Sequence, residues 1–320
     1  MTIPVFYINW DSIDLTRESI KQLRENTDLE KISITVFDNG SSDPENIEGL
    51  KALKQCGHID RIIASRNNLG FSLAVNIGLA ESDGDIFCFM SNDCFVEPGW
   101  LEAALKTLQS DPAVAAVCPN LYDEKNGENR YLIEFTTKRP EKIAYDDHYI
   151  GQLYGAIMIF QRDAWENIGC LDYINFSPAY SEELDWSYRA LKHGYRLKRS
   201  GRSLAQHLGQ ATTNKKYIRN EIHLIRLHHR IKCRLLNLSV RQLAGLMKQY
   251  IREVIFAVKD GTIWVLISAI LKNIASLPQS LSDRKKRFKL EKVDFNYPYR
   301  LAEEDGVEYV LSNYPRPERR

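Results

Sequence analysis

The chain has 320 residues, 44% of them hydrophobic, with 43 basic side chains against 42 acidic ones. That length suffices for one large core and a smaller appended unit. The near-neutral balance argues against a nucleic-acid partner held by overall positive charge, which needs a clear basic excess. The six cysteines, Cys56, Cys88, Cys94, Cys118, Cys170 and Cys233, form no CxxC pair. This pattern speaks against a disulfide framework or a zinc ribbon.

The first residues, Met1 to Tyr7, lack a basic leader and meet Asp11 early, so they do not read as a signal peptide. No uninterrupted apolar run of about 18 residues is present, so no transmembrane helix is expected, and a reducing cytosol is the expected setting. Short apolar strands then alternate with amphipathic helices. Val5 to Asn9 reads as a strand and Leu15 to Asn26 as a helix. Ile32 to Phe37 is a second strand, closed by the turn Asp38-Asn39-Gly40-Ser41-Ser42-Asp43-Pro44. A helix near Ile47 to Gln55, a strand at Arg61 to Ala64 and a helix from Leu69 to Ser82 follow. Ile86 to Met90 is almost wholly apolar, as in a parallel strand covered on both faces. Leu153 to Phe160 reads as another apolar strand, and Glu183 to His193 as a helix ended by Gly194. The alternation predicts an open, mostly parallel α/β sheet flanked by helices.

Beyond about Gln210 the character changes. Tyr217 to Asn237, Val240 to Val258 and Thr262 to Ser276 read as three successive helices with no strand between them. We therefore expect a domain of residues 1–212 and a helical region of residues 213–320. The latter carries a basic segment, Ser282 to Lys292, and a loosely ordered tail from Pro315. Basic residues interleaved with Leu and Ile suit peripheral contact with an anionic bilayer. Packing on the first domain or on a partner subunit would also bury these faces, and a homo-oligomer is compatible with them. His223, His228 and His229 lack metal-ligand spacing and read as surface residues.

In an open α/β sheet, ligands bind beyond the carboxyl ends of the strands. Four polar clusters fall there. Asp38-Asn39-Gly40 places a carboxylate where it can accept from a base N–H, although an Asx turn uses the same residues. Arg66-Asn67-Asn68-Leu69-Gly70 puts a guanidinium at a helix N-terminus, where a phosphate is welcome. Ser91-Asn92-Asp93 sends a carboxylate out of a buried strand, where a hard cation offsets its desolvation. Glu182-Glu183-Leu184-Asp185 crowds three carboxylates, which raises pKa values and suits a general base. An acidic first helical turn would look the same.

Taken in order, strand-Asp38, Asn68-Leu69-Gly70-Phe71 with Asn76, strand-Asp93, strand-Gly155, then Glu182-Glu183-Leu184-Asp185 with Arg189 and Gly194 resemble family 2 glycosyltransferases over residues 3 to 210. Within that family the similarity is nearest to rhamnosyltransferase-like bacterial enzymes of surface polysaccharide synthesis. The resemblance implies a GT-A fold, a nucleotide-diphosphate-sugar donor (UDP- or dTDP-linked) and Mn2+ or Mg2+. It implies Asp38 on the pyrimidine ring, with Asn9, Asn39, Arg66, Gly70, Asn76, Ser91 and Asn92 around the donor. Ser91 replaces the first acidic or amide member of the family's metal triplet, so Asp93 is its one strong ligand, and His207 matches a histidine that completes the shell. Glu183 stands where the family's base is usually an aspartate, with Glu182 and Asp185 as alternatives. The family's inverting members transfer to a glycan or lipid-linked hydroxyl, and the missing Gln-x-x-Arg-Trp motif implies one sugar per visit. A catalytically inactive GT-A-like subunit and a nucleotidyltransferase remain the competing readings. For the latter, Tyr7-Ile8-Asn9-Trp10-Asp11 offers no glycine-rich, lysine-bearing loop. Neither GxGxxG nor GxxxxGK[ST] is present, which removes dehydrogenase and P-loop readings.

Overall fold

Successive side chains of a strand point to opposite faces, and the first strand shows how the core is divided. In β1 (Ile3–Asn9), Ile3, Val5 and Tyr7 enter one apolar layer and Phe6 enters the other. The computed structural model describes residues 2–125, 129–132, 141–142, 145–208 and 219–312. The chain continues through α1 (Ile13–Glu25), β2 (Ile32–Asn39), α2 (Glu45–Gln55), β3 (Arg61–Ser65), α3 (Phe71–Ala80) and β4 (Ile86–Ser91). Next come β5 (Cys94–Val96), α4 (Trp100–Leu108), β6 (Val114–Lys125), β7 (Asn129–Leu132), β8 (Glu141–Lys142) and β9 (His148–Ile150). Then follow β10 (Ile157–Gln161), α5 (Arg162–Ile168), α6 (Glu182–Lys192) and β11 (Arg196–His207).

These strands form one sheet in which β3, β2, β1 and β4 are neighbours and run parallel. β10 joins β4 antiparallel, followed by β6, β11 and β5. One layer packs α1, α2 and α4 on the sheet through Ile20, Leu23, Leu50, Trp100 and Leu108. The other packs α3, α5 and α6 through Val75, Ile77, Trp165 and Trp186. Helix α3 lies so close that a Cβ on Gly78 would stand 2.0 Å from the Phe6 ring. Only glycine fits there without moving a buried aromatic.

The second region departs from expectation at its far end. Helices α7 (Arg219–Asn237), α8 (Val240–Gly245), α9 (Met247–Lys259), α10 (Ile263–Ala275) and α11 (Leu277–Phe288) occupy its first part. The segment expected as one helix from Val240 is two, the first capped by Ser239 and Gln242 in a reciprocal box. The basic run around Arg284 belongs to α11. Two strands then follow where none was expected, β12 (Tyr299–Glu304) and β13 (Val307–Ser312), and β13 pairs parallel with β3. Arg61 fixes this hairpin, donating from Nε and Nη2 to Glu308 at 2.6 and 2.5 Å. Val293, Phe295 and Tyr297 pack into the layer that holds α3 and α5. The C-terminal segment is therefore part of the first domain's sheet and core. The expected boundary at residue 212 and the tail from Pro315 lie outside the described residues.

Candidate active site

The carboxyl ends of β1, β2, β3 and β4 share one edge of the sheet, and the expected donor residues gather there. Asn9 closes β1 fully buried and donates to Asp38 Oδ1 at 2.8 Å and to Asn46 at 3.0 Å. Asp38, 2% exposed, also accepts from the Ser41 hydroxyl at 2.6 Å and the Ser41 amide at 3.1 Å. Burial lifts its carboxyl above the ordinary value, against the opposing pull of the Ser41 and Asn9 hydrogen bonds. Asn39 accepts from the Leu69 amide at 2.8 Å, tying the turn after β2 to the turn after β3. Gly40, at φ +73, makes that union feasible: a Cβ there would lie 2.3 Å from the Asn67 carbonyl carbon. Gly70 also has positive φ, and a Cβ on it would meet the Pro178 carbonyl oxygen at 2.8 Å. Arg66 stands exposed at the rim, 3.9 Å from Glu304 of the C-terminal hairpin.

Ser91 ends β4, and its amide donates to the Ala156 carbonyl at 2.7 Å. Its hydroxyl donates to Asp93 Oδ1 at 2.6 Å. β5 then pairs antiparallel with β11, which sets Cys94 opposite His207 and swings the His207 ring to 3.3 Å from Asp93 Oδ1. Burial opposes the Asp93 charge, yet His207 and Ser91 outweigh it and hold the carboxyl below its ordinary range. Two cis ligands of an octahedral ion at 2.0–2.1 Å would lie about 3 Å apart, so this carboxylate and imidazole fit one divalent cation. Cys94 is within 4.8 Å of both groups and wholly buried, and its soft sulfur suits Mn2+ or Mg2+ less well than the carboxylate and imidazole do. Asn92 points its amide to Ser12 at 2.8 Å and Thr16 at 2.9 Å, which anchors α1.

The acidic cluster divides by helical phase. Glu182 is 5% exposed and its Oε2 has no hydrogen-bond partner. Burial, and after it the neighbouring Glu183 charge, raises its carboxyl well above the ordinary range. Glu183 is half-buried against Gly155, whose Cβ position lies 3.6 Å from Glu183 Cγ, and Gln152 donates to it at 3.5 Å. Burial raises this carboxyl too, against several backbone amides. Asp185 takes a different place from the one expected. It is wholly buried and held by Arg189 at 2.9 Å, Arg287 at 3.1 Å and Asn237 at 2.7 Å, which saturate both oxygens and keep it charged. Asn76 is likewise committed elsewhere, exchanging hydrogen bonds with the Leu171 backbone at 2.8 and 3.0 Å.

Sequence reasoning missed Tyr180 and Ser181, whose backbones are both left-handed (φ +77 and +74) immediately before Glu182. Non-glycine residues hold that conformation only when their surroundings impose it. Here His229 Nδ1 donates to the Ala179 carbonyl at 2.8 Å, and Arg226 lies 4.5 Å above the Tyr180 ring. His229 is thus no surface residue: it is 4% exposed and packs edge-on against Phe176.

The family model described as Glycosyl transferase family 2 matches residues 5–169. The chain belongs to glycosyl transferase family 2. An uncharacterized glycosyltransferase of Haemophilus influenzae is 30% identical over 100 residues, which is 31% of this chain and 30% of that protein. The chain thus spans about a third of the length of that curated relative. Among solved structures, S. aureus TarS 1–349 in complex with UDP-GlcNAc superposes with a TM-score of 0.59 at 14% identity, over 98% of this chain and 97% of that one. GalNAc-T7 with UDP, GalNAc and Mn2+ gives 0.59 at 14% identity, over 74% of this chain and 48% of the other. At that identity the shared feature is the fold: the GT-A arrangement, here with a C-terminal helical region. Among the described residues, no helix is long and apolar enough to cross a membrane.

Proposed function

We propose that this family 2 member is a glycosyltransferase acting on a nucleoside-diphosphate-sugar, UDP- or dTDP-linked. It moves one hexosyl or deoxyhexosyl unit, rhamnosyl included, to a hydroxyl of a glycan or lipid-linked acceptor in surface polysaccharide synthesis. The observation that supports this most is the meeting of Asp93 and His207, 3.3 Å apart, at the ligand-binding edge of the sheet. Asp38 would accept from the base through its remaining lone pairs, and Arg66 would pair with the diphosphate. Asp93 and His207 would hold Mn2+ or Mg2+, which when bound supplies positive charge to the departing diphosphate.

Glu183 is the base of this scheme. Its raised carboxyl takes the acceptor hydroxyl proton while that oxygen bonds to the anomeric carbon. The bond from that carbon to the diphosphate oxygen breaks, the nucleoside diphosphate leaves from the opposite face, and the configuration inverts. Burial, and after it the Glu183 charge, pushes the Glu182 carboxyl up, which disfavours a second like charge at the base.

Purified protein offered a panel of nucleotide-sugars with and without Mn2+ tests this reading through thermal stabilisation and donor hydrolysis. Metal-dependent binding of at least one donor is expected, with loss of the metal dependence in Asp93→Asn. Glu183→Gln should keep binding and lose turnover by about 10²- to 10⁴-fold. If no donor binds in either condition, the reading is wrong. Binding without hydrolysis or transfer points instead to an inactive subunit.

The C-terminal helices support membrane-surface contact as part of the same reading. Ile251, Ile255, Phe256 and Val258 of α9 and Trp264 and Leu271 of α10 are all exposed, Trp264 to 74%. Lys248, Arg252 and Lys259 of α9, Lys285 and Lys286 of α11 and Lys289 directly after it are exposed as well. An apolar face of this extent with a cationic border suits an anionic bilayer on the cytoplasmic side.

A further inference from the structure

Behind the loop that leads to Glu182, helices α7 and α10 close over a cavity of about 300 Å3. Its wall includes Asn175, Ser177, His228, His229, Lys232 and Lys272, four of them cationic or able to become so. Lys232 is 9% exposed and has no hydrogen-bond or ion-pair partner among the described residues. The acids whose fields reach it, Asp172 and Asp283, are already engaged. Arg287 and Asn175 hold Asp172, while Gln279, Asn175 and Lys286 hold Asp283. A largely buried ammonium lacking a direct counter-ion loses part of its hydration, and an anion in the cavity would compensate that loss. Burial depresses the Lys232 ammonium, with partial relief from Asp172 and Asp283. A phosphoryl group in the cavity would supply the missing partner.

The cavity mouth shows where that phosphoryl group would come from. Lys272 is exposed on α10, and on the same helix Trp264, Ile267, Leu271 and Ile274 are exposed at spacings of three, four and three. That spacing makes one apolar stripe along the helix. Lys272 follows Leu271 about 100° around the axis, on the flank that lines the cavity with α7. A free phosphate would use the cavity and leave the stripe bare, whereas an amphiphile would use both.

We propose that this cavity receives the phosphoryl head of an anionic membrane lipid whose chains lie along the α10 stripe. The proposal rests on the membrane-surface reading above and adds a defined headgroup site to it. Lys232 is the inner ligand and Lys272 the outer one, so the lipid surface is held one loop away from Glu182.

Flotation of the full chain with phosphatidylcholine vesicles, with and without phosphatidic acid, at physiological salt tests this. Binding is expected only with phosphatidic acid. Lys232→Gln and Lys272→Gln should each weaken it about fivefold, and the pair about twenty- to thirtyfold. Trp264→Ser with Leu271→Ser should weaken it comparably. Lys272→Gln lies at an exposed position and checks the result should the buried variant fold poorly. The control pair Lys285→Gln and Lys286→Gln, outside the cavity, should have a smaller effect. An equal effect there means general charge adsorption and overturns the proposal. So does binding that millimolar inorganic phosphate abolishes with no dependence on lipid, or a dimer in solution that hides the stripe and ignores vesicles. Manganese-dependent donor binding by the wild-type protein, measured without vesicles, separates the two readings. If it is present and vesicles are ignored, the lipid site alone fails; if it is absent, the transferase reading fails on its own account.

Discussion

Arg287 of α11 places its guanidinium 3.1 Å from Asp185 of α6 and 2.5 Å from Asp172, so one side chain joins the C-terminal helices to the acidic helix of the site. All three groups are nearly or wholly buried, and Asn237 and Arg189 complete the set. Removing the cation leaves two carboxylates short of charge in a dry interior. Arg287→Met should lower stability by about 3–5 kcal/mol. Urea unfolding checks this, and an unchanged midpoint would show that the network is dispensable.

The Asp93–His207 pair makes a separable prediction about metal. His207→Ala removes one donor and leaves the carboxylate and Ser91 in place. The Mn2+ concentration giving half-maximal nucleotide binding should rise by at least the tenfold to hundredfold typical of losing even an outer support. Titrating Mn2+ at fixed nucleotide measures it. A curve identical to wild type would place the ion elsewhere.

Gly78 offers a test of packing free of catalysis. Alanine favours helix by about 1 kcal/mol, yet its Cβ would sit 2.0 Å from the buried Phe6 ring. The clash should dominate, because overpacked cores lose about 1–3 kcal/mol and the aromatic layer around Phe6 leaves no room for retreat. Thermal melting of Gly78→Ala should show a drop of several degrees. A rise would mean that α3 lifts from the sheet at little strain.

Acid should loosen the joint between α7 and the loop before Glu182. Burial pushes His229 from its ordinary 6.5 down to about 4. Between those values the unfolded chain binds the proton and the folded one does not, so stability is complete above about pH 6.5 and falls as pH drops towards 4. His229 alone should remove about 2–3 kcal/mol by pH 4.5. His228, lowered to about 4 by burial and by His229, adds loss of the same sign. His229→Asn keeps a donor near the Nδ1 position without titrating. Denaturant midpoints from pH 4.5 to 7.5 should fall less steeply for this variant, and equal slopes would refute the assignment.

The sheet edge was legible because each apolar run stops at a polar turn, and that geometry alone brings Asp38, Ser91 and Asp93 to one edge. The acidic cluster was legible as a group and not by role. Glu183 and Asp185 differ by two positions, about 200° around a helix, so one faces the site and the other the Arg287 network. Composition cannot choose between those faces. His229 stayed hidden for a related reason: its burial depends on Phe176 and Ala179, supplied by a distant loop. The hairpin was missed because Tyr-Arg-Leu-Ala-Glu-Glu carries little strand signal, and its partner β3 is remote in sequence.

That remoteness bears on how the molecule is made. Arg61 and Glu308 are 247 positions apart. At 5–20 residues per second, the ribosome needs on the order of ten seconds or more to deliver the strand that covers β3. Throughout that interval the nascent sheet carries a bare edge, the kind of surface that recruits stray strands. A holding chaperone that covers the β3 edge during that interval would therefore protect the nascent sheet.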